Sequence, residues 1–181
     1  MIFSKVLVPM FLFACFAISA QDLSSDQSKK LEKKVEWLKT LAASSQIVEA
    51  VKSENAKPNP DYVKMDNSTW SSLTVLDAKV KYFSSNPVAE FLKSKKDDSV
   101  SEMFLNAKNG NKMAFLSKPT YFTHIGKSKH DEPMKNKVWT GKVEMDESTG
   151  SLNIQVAVPV LDEKSKEAIG VLTVGFAVSK L

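Results

Sequence analysis

Val100-Ser-Glu-Met-Phe-Leu-Asn-Ala-Lys-Asn-Gly-Asn-Lys-Met-Ala-Phe-Leu116 is where the chain changes its period. Before it, apolar residues recur at helical spacing; from Val100 onward the period shortens to two. Val100 to Ala107 predicts a strand and Lys112 to Leu116 its return. Asn109-Gly110 between them is a hairpin signal, because both residues tolerate the positive φ that a tight turn demands.

The pattern continues toward the C-terminus. Residues 117–136 are irregular and polar, with Pro119, Gly126 and Pro133. Val138 to Met145 predicts a third strand. Leu152 to Leu161 predicts a fourth, with Leu152, Ile154, Val156 and Val158 on one face, and Ala168 to Val178 a fifth. Turn-forming residues separate these segments. The reading is a five-stranded antiparallel meander, interrupted by one long loop between its second and third strands. A loop of about twenty residues in a compact domain tends to carry function, and this one is expected to cover a pocket.

Toward the N-terminus, residues 26–56 read as one long helix. Ser24, Ser25 and Asp26 supply caps, and Leu31, Val35, Leu38, Leu41, Ala42, Ile47, Val48 and Val51 supply an apolar stripe. Pro58 and Pro60 end it. Such a helix would run about 45 Å. That leaves two readings: part of it projects toward a partner, or all of it lies along its own sheet. Trp70 to Tyr82 and the stretch opened by Asn86-Pro87 predict shorter helices. Helices first and strands afterwards indicate an α+β domain, with a long N-terminal helix and short helices packed on one face of the sheet.

The 181 residues make one domain, read as 21–181. Residues 1–20 have the pattern of a secretory signal peptide: Lys5, an uncharged run from Val6 to Ile18, then Ser19 and Ala20. The run is short for a membrane span of about 20 residues. The expectation is a periplasmic or secreted protein. An alternative processing site, Leu12-Phe13-Ala14-Cys15, would make it a lipoprotein anchored through Cys15. Cys15 is the sole cysteine, so the exported domain lacks disulfides and thiolate chemistry. Every Lys/Arg position is Lys, which denies the chain the bidentate fork that grips carboxylates and phosphates. Without Lys5, 24 Lys face 21 acids for a net +3. These charges are interspersed, which argues against nucleic acid.

No catalytic apparatus is legible. A nucleophile elbow and a phosphate-binding glycine loop are both missing, and the two histidines, His124 and His130, do not pair with a nucleophile in sequence. The chain is not expected to be an enzyme or to hold a cofactor. His130, Asp131, Glu132 and Met134 match no metal-binding spacing, so no metal is expected. His124, with Tyr121 and Thr123 beside it in the long loop, is a candidate ligand contact. Trp139 reads either as a pocket wall or as core, and Trp70 as core. Met113 and Phe115 alternate around Ala114 and so are expected on one face, whether pocket or core.

The order of these segments resembles the single Cache (PAS-like, PDC) extracytoplasmic sensor domains of bacteria. The resemblance is carried by Trp70, Asn86-Pro87, Met103 to Ala107, Gly110, Ser117, Gly141 to Gly150, Val156-Ala-Val-Pro-Val160, Asp162 and Ile169 to Gly175. It covers nearly the whole exported chain. It implies a sensor that binds a small metabolite, an organic acid or amino acid, between the sheet and the long loop. The ligand-binding residues would be Phe115, Tyr121, Phe122, Thr123, His124, Trp139 and Gln155. In the family an aromatic pair often precedes a glycine in that loop; here Thr123 and His124 stand in its place. Such domains usually sit between two membrane spans. This sequence stops at Leu181, so it is expected to act without a transmembrane part of its own. The other reading is a protein-interaction module, its N-terminal helix docking on a membrane receptor or forming a homodimer, with a vestigial pocket.

Overall fold

Ser24 opens the first helix of the computed structural model, which describes residues 22–146 and 150–181. The expected leader over residues 1–20, with Cys15, lies outside the described residues. The Ser24 hydroxyl accepts the Gln27 amide N–H at 3.2 Å, and the Gln27 side chain accepts the Ser24 N–H at 3.0 Å, a reciprocal cap.

The single long helix expected over 26–56 is instead two, α1 (Ser25–Ala42) and α2 (Ser45–Ala56). Ala43 closes the first, and Ser44, extended at ψ 143°, opens the second. The Ser44 hydroxyl donates to the Leu41 carbonyl at 2.7 Å. The cause lies in the stripe. Leu31, Val35, Leu38 and Ala42 step by four and three, but the next positions in phase are polar. Ile47, Val48 and Val51 form a second stripe out of phase with the first. The break lets both stripes reach the sheet, where Leu38, Ile47 and Val51 are fully buried.

Short helices follow: α3 (Asn67–Ser72), α4 (Ala78–Ser85) and α5 (Pro87–Ser94), each started by an Asp or Asn cap and the last with Pro in its first turn. The strands are β1 (Val100–Ala107), β2 (Lys112–Phe115), β3 (Trp139–Asp146), β4 (Ser151–Leu161) and β5 (Ala168–Ala177). The long loop holds one short helix, α6 (Ser128–Asp131), and a 3-10 turn at Pro133–Lys135.

All neighbouring strands are antiparallel, and the sheet order is β2-β1-β5-β4-β3. This is not the expected simple meander, which would place β2 beside β3. β5 separates the two hairpins because it is apolar on both faces: every residue from Val171 to Phe176 is buried. A strand with no solvent face belongs in the centre.

Helices also cover both faces rather than one. α1, α2 and α5 pack on Met103, Leu105, Val156, Val158, Leu172 and Phe176. α3 and α4 bring Trp70 and Phe83 to the opposite face, against Phe104, Phe115 and Phe122. Met103 to Ala107 are buried without alternation, which requires cover on both sides. Met113 and Phe115 do not share a face. Phe115 joins the aromatic cluster and Met113 packs on the α1/α2 side, because a register shift between Leu105 and Asn106 interrupts the β1–β2 ladder. No helix among the described residues is long and apolar enough to cross a membrane.

Candidate functional site

Strand register arranges the face away from α1 in rows. Directly paired residues share a face, so Phe115, Phe104, Thr173, Ala157 and Trp139 form one row across all five strands. Glu102, Gly175 and Gln155 form the next. Phe115 and Trp139 end the same row four strand spacings apart, about 19 Å at 4.8 Å each. They cannot line one small pocket together. The face divides into an aromatic end, a polar middle and an open end.

The aromatic end is core. Trp70 is fully buried, with ring centroids 5.3 Å from Phe122, 5.8 Å from Phe115 and 5.9 Å from Phe83. Its indole N–H donates to the Pro119 carbonyl at 2.8 Å, which ties the start of the long loop to α3. Phe115 and Phe122 are thus packed inside this cluster.

The polar middle lies under the loop. Gly110, at φ +80°, turns the β1–β2 hairpin; its N–H donates to Ala107 and its carbonyl accepts His124 N–H, at 2.9 and 3.0 Å. That brings the loop onto β2, where Lys112 N–H donates to Phe122 at 3.0 Å. The Lys112 Nζ lies 2.9 Å from His124 Nδ1, 3.3 Å from Asn106 Oδ1 and 4.3 Å from the Phe104 ring centre. Lys112 is only 3% exposed and His124 4%. Burial, reinforced by the charge of Lys129 and opposed by Glu102, holds the Lys112 amine well below the usual lysine value. Burial and then Lys112 push His124 down to about 2. His130 is buried beside them and also held low by burial, and its Nδ1 has no partner in the described residues; neither has the Thr173 hydroxyl. Thr123 is fastened through its backbone to the Asn67 side chain at 3.0 and 3.4 Å. Tyr121 is 43% exposed, with the Lys127 Nζ 5.1 Å from its ring.

The open end is a groove of about 830 Å³. Its floor includes Glu102, Gln155, Trp139 and Gly141, and Lys118 and Thr120 of the loop form part of its wall. A chain of side chains crosses the floor beside it. Lys129 Nζ donates to Gln155 Oε1 at 2.6 Å, and Gln155 Nε2 donates to Glu102 Oε1. Gly175 permits this: a Cβ there would stand 2.7 Å from Glu102 Cγ. Burial lowers Lys129, while Glu102 and Glu144 oppose the shift. The Trp139 ring edge lies over Gly141, 2.9 Å from where a Cβ would be.

Of the seven residues expected to contact ligand, Trp139 and Gln155 therefore line the groove. Phe115 and Phe122 are in the aromatic core, Thr123 and His124 in the closed polar layer, and Tyr121 is on the surface. Lys112, Asn106, Lys129 and Glu102 were not expected. Two of them had a signal in the sequence: Asn106 is the one polar residue between Met103 and Ala107, and Lys112 opens the apolar run Met113 to Leu116.

No family model matches the chain, and no curated protein matches it. Among solved structures, the sensor domain of the V. cholerae histidine kinase DctB aligns at a TM-score of 0.51 and 13% identity, over 84% of this chain and 50% of that one. The ligand-binding domain of the Pseudomonas aeruginosa amino-acid chemoreceptor PctC, in complex with GABA, aligns at 0.38 and 14%, over 83% of this chain and 62% of that one. The sensory domain of the Campylobacter jejuni chemoreceptor Tlp3 with isoleucine bound aligns at 0.38 and 13%, over 88% and 66%. This chain thus spans half the length of the DctB domain. The likeness to DctB shows the fold, which is the Cache (PDC) sensor fold that the sequence resembles.

Proposed function

We propose that this chain is an extracytoplasmic sensor module, residues 21–181, whose groove between Trp139, Gln155 and the start of the long loop binds an organic acid or amino acid. The observation that carries this reading is the Lys129–Gln155–Glu102 chain beside the groove. It sets a cation and a carboxylate about one amide side chain apart, the spacing a small zwitterion or acid needs. Groove volume falls within the ~300–1,000 Å³ of small-molecule sites. The DctB-like fold and the leader-like residues 1–20 support sensing outside the cytoplasm, periplasmic or secreted. The apolar stripes of α1 and α2 are spent on their own sheet, which favours ligand binding over docking through that helix. The test is a thermal-shift screen of residues 21–181 against amino acids and small organic acids. A ligand at 100 times its Kd adds about 2.7 kcal/mol. Shifts that vanish in Trp139→Ala and Gln155→Ala support the groove; shifts unaffected by either, or no shift with any of these ligands, reject it.

A further inference from the structure

We propose that a second cavity, at the β2 edge of the sheet, binds a small organic ammonium ion, independently of the groove. The cavity holds about 240 Å³ and lies between the end of α2, the connection after it, α4 and β2. Tyr62, Tyr82, Phe83 and Phe122 line it, with Glu54. Tyr62 and Tyr82 stack, and Phe83 meets both at an angle. Tyr62 lies 4.9 Å from Tyr82 at 29° and 4.7 Å from Phe83 at 60°, while Tyr82 and Phe83 meet at 83°. Aromatic faces meeting at an angle attract a cation through their quadrupoles.

Charge points the same way. Glu54 is the one carboxylate among the described lining residues, and its Oε1 accepts the Asn59 N–H at 3.2 Å. Burial first, then Tyr82, Asp61 and Asp77 raise the Tyr62 hydroxyl. Lys112 also borders the cavity, but its amine is engaged with His124 and Asn106. Several rim amide groups are already engaged. Asn86 Oδ1 accepts Ala89 N–H at 2.9 Å and its Nδ2 donates to Met113 at 2.8 Å, while Asn59 Oδ1 accepts Asp61 N–H at 3.0 Å. Beside Ser53, Asn59, Asn109 and Asn111, the cavity presents aromatic rings and one carboxylate, and that pair matches a methylated ammonium group. The volume lies below the ~300 Å³ where drug-sized sites begin, so the occupant has few carbons.

The experiment is calorimetric titration of residues 21–181 with choline and with its neutral isostere, in which carbon replaces the quaternary nitrogen. Choline is expected to bind, and the isostere about tenfold more weakly or less. Tyr62→Ala and the isosteric Glu54→Gln weaken choline about tenfold, whereas Tyr62→Phe retains it. Trp139→Ala, which disables the groove, leaves choline binding as it was, so this cavity and the groove are tested separately. Circular dichroism confirms the fold of each variant, and Glu54→Gln carries the test if Tyr62→Ala unfolds. No choline binding, equal binding of the isostere, or loss in Trp139→Ala but not in Glu54→Gln overturns the proposal.

Discussion

Lys112 Nζ and His124 Nδ1 lie 2.9 Å apart inside the protein, with no carboxylate hydrogen-bonded to either among the described residues. Two such groups cannot both be charged away from water. The unfolded chain takes up a proton at His124 near pH 6.5, but the folded chain does not until about 2. Between those values the unfolded state binds the extra proton, so stability falls as pH falls, by about 1.4 kcal/mol per unit. His130, lowered by burial, acts in the same direction. Lys112 does likewise in the alkaline range, where stability keeps rising toward the unfolded lysine value. Urea unfolding at pH 7 and pH 5 should give a lower midpoint at pH 5. His124→Gln, which can still accept from Lys112, should flatten part of that slope; a slope unchanged in this variant would exclude the imidazole as its source.

Trp70 joins three parts of the chain: α3, the aromatic face of the sheet, and Pro119 at the start of the loop. Trp70→Ala removes a fully buried side chain and leaves the Pro119 carbonyl without its donor. The expected loss is about 3–5 kcal/mol. Trp70→Phe keeps most of the ring and loses the N–H, for about 1–3 kcal/mol. Chemical denaturation of both separates the packing contribution from the hydrogen bond.

Gly110 and Gly126 have nearly the same backbone, φ +80° and +78°, in different surroundings. A Cβ at Gly110 would lie 2.7 Å from the Ile125 backbone nitrogen; at Gly126 it would meet nothing within 4 Å. Gly126→Ala should cost only the left-handed conformation, about 1–2 kcal/mol. Gly110→Ala should cost clearly more, because the loop must also shift from β2. Equal losses in urea unfolding would mean that the loop gives way freely there.

The period change at Val100, the Gly110 turn and the five strands were legible because each is a local signal. Strand order was not. Alternation in Leu152 to Leu161 says which residues share a face, but not that β5 will sit between β1 and β4. The run Val171 to Phe176, apolar but for Thr173 and Gly175, was the sign of a central strand. The break at Ala43-Ser44 was hidden because neither residue is a helix breaker; only the phase slip between Ala42 and Ile47 revealed it. His124 was visible as a loop histidine, yet its role depends on Lys112, twelve residues away, meeting it across the hairpin. Trp139 and Gln155 reached the groove because strand parity put them there, whereas Phe115, of matching parity, went to the far edge of the same row.

The groove itself makes the last prediction. Lys129 and Glu102 hold opposite ends of Gln155, so their roles toward a ligand divide by charge. Lys129→Gln should weaken every carboxylate ligand by up to about tenfold, because it removes a positive charge beside the groove and the hydrogen bond that holds Gln155 on its floor. Glu102→Gln should weaken only ligands that also carry an amine, by a similar factor, and leave plain organic acids unaffected. Glu102→Gln is isosteric and can still accept from Gln155, and circular dichroism checks the fold of Lys129→Gln. Calorimetry with an amino acid and with the acid lacking its amine distinguishes the cases. Weakening of both ligands by both substitutions would mean that the Gln155 chain acts as one unit that positions Trp139. Weakening by neither would place the ligand elsewhere on the sheet.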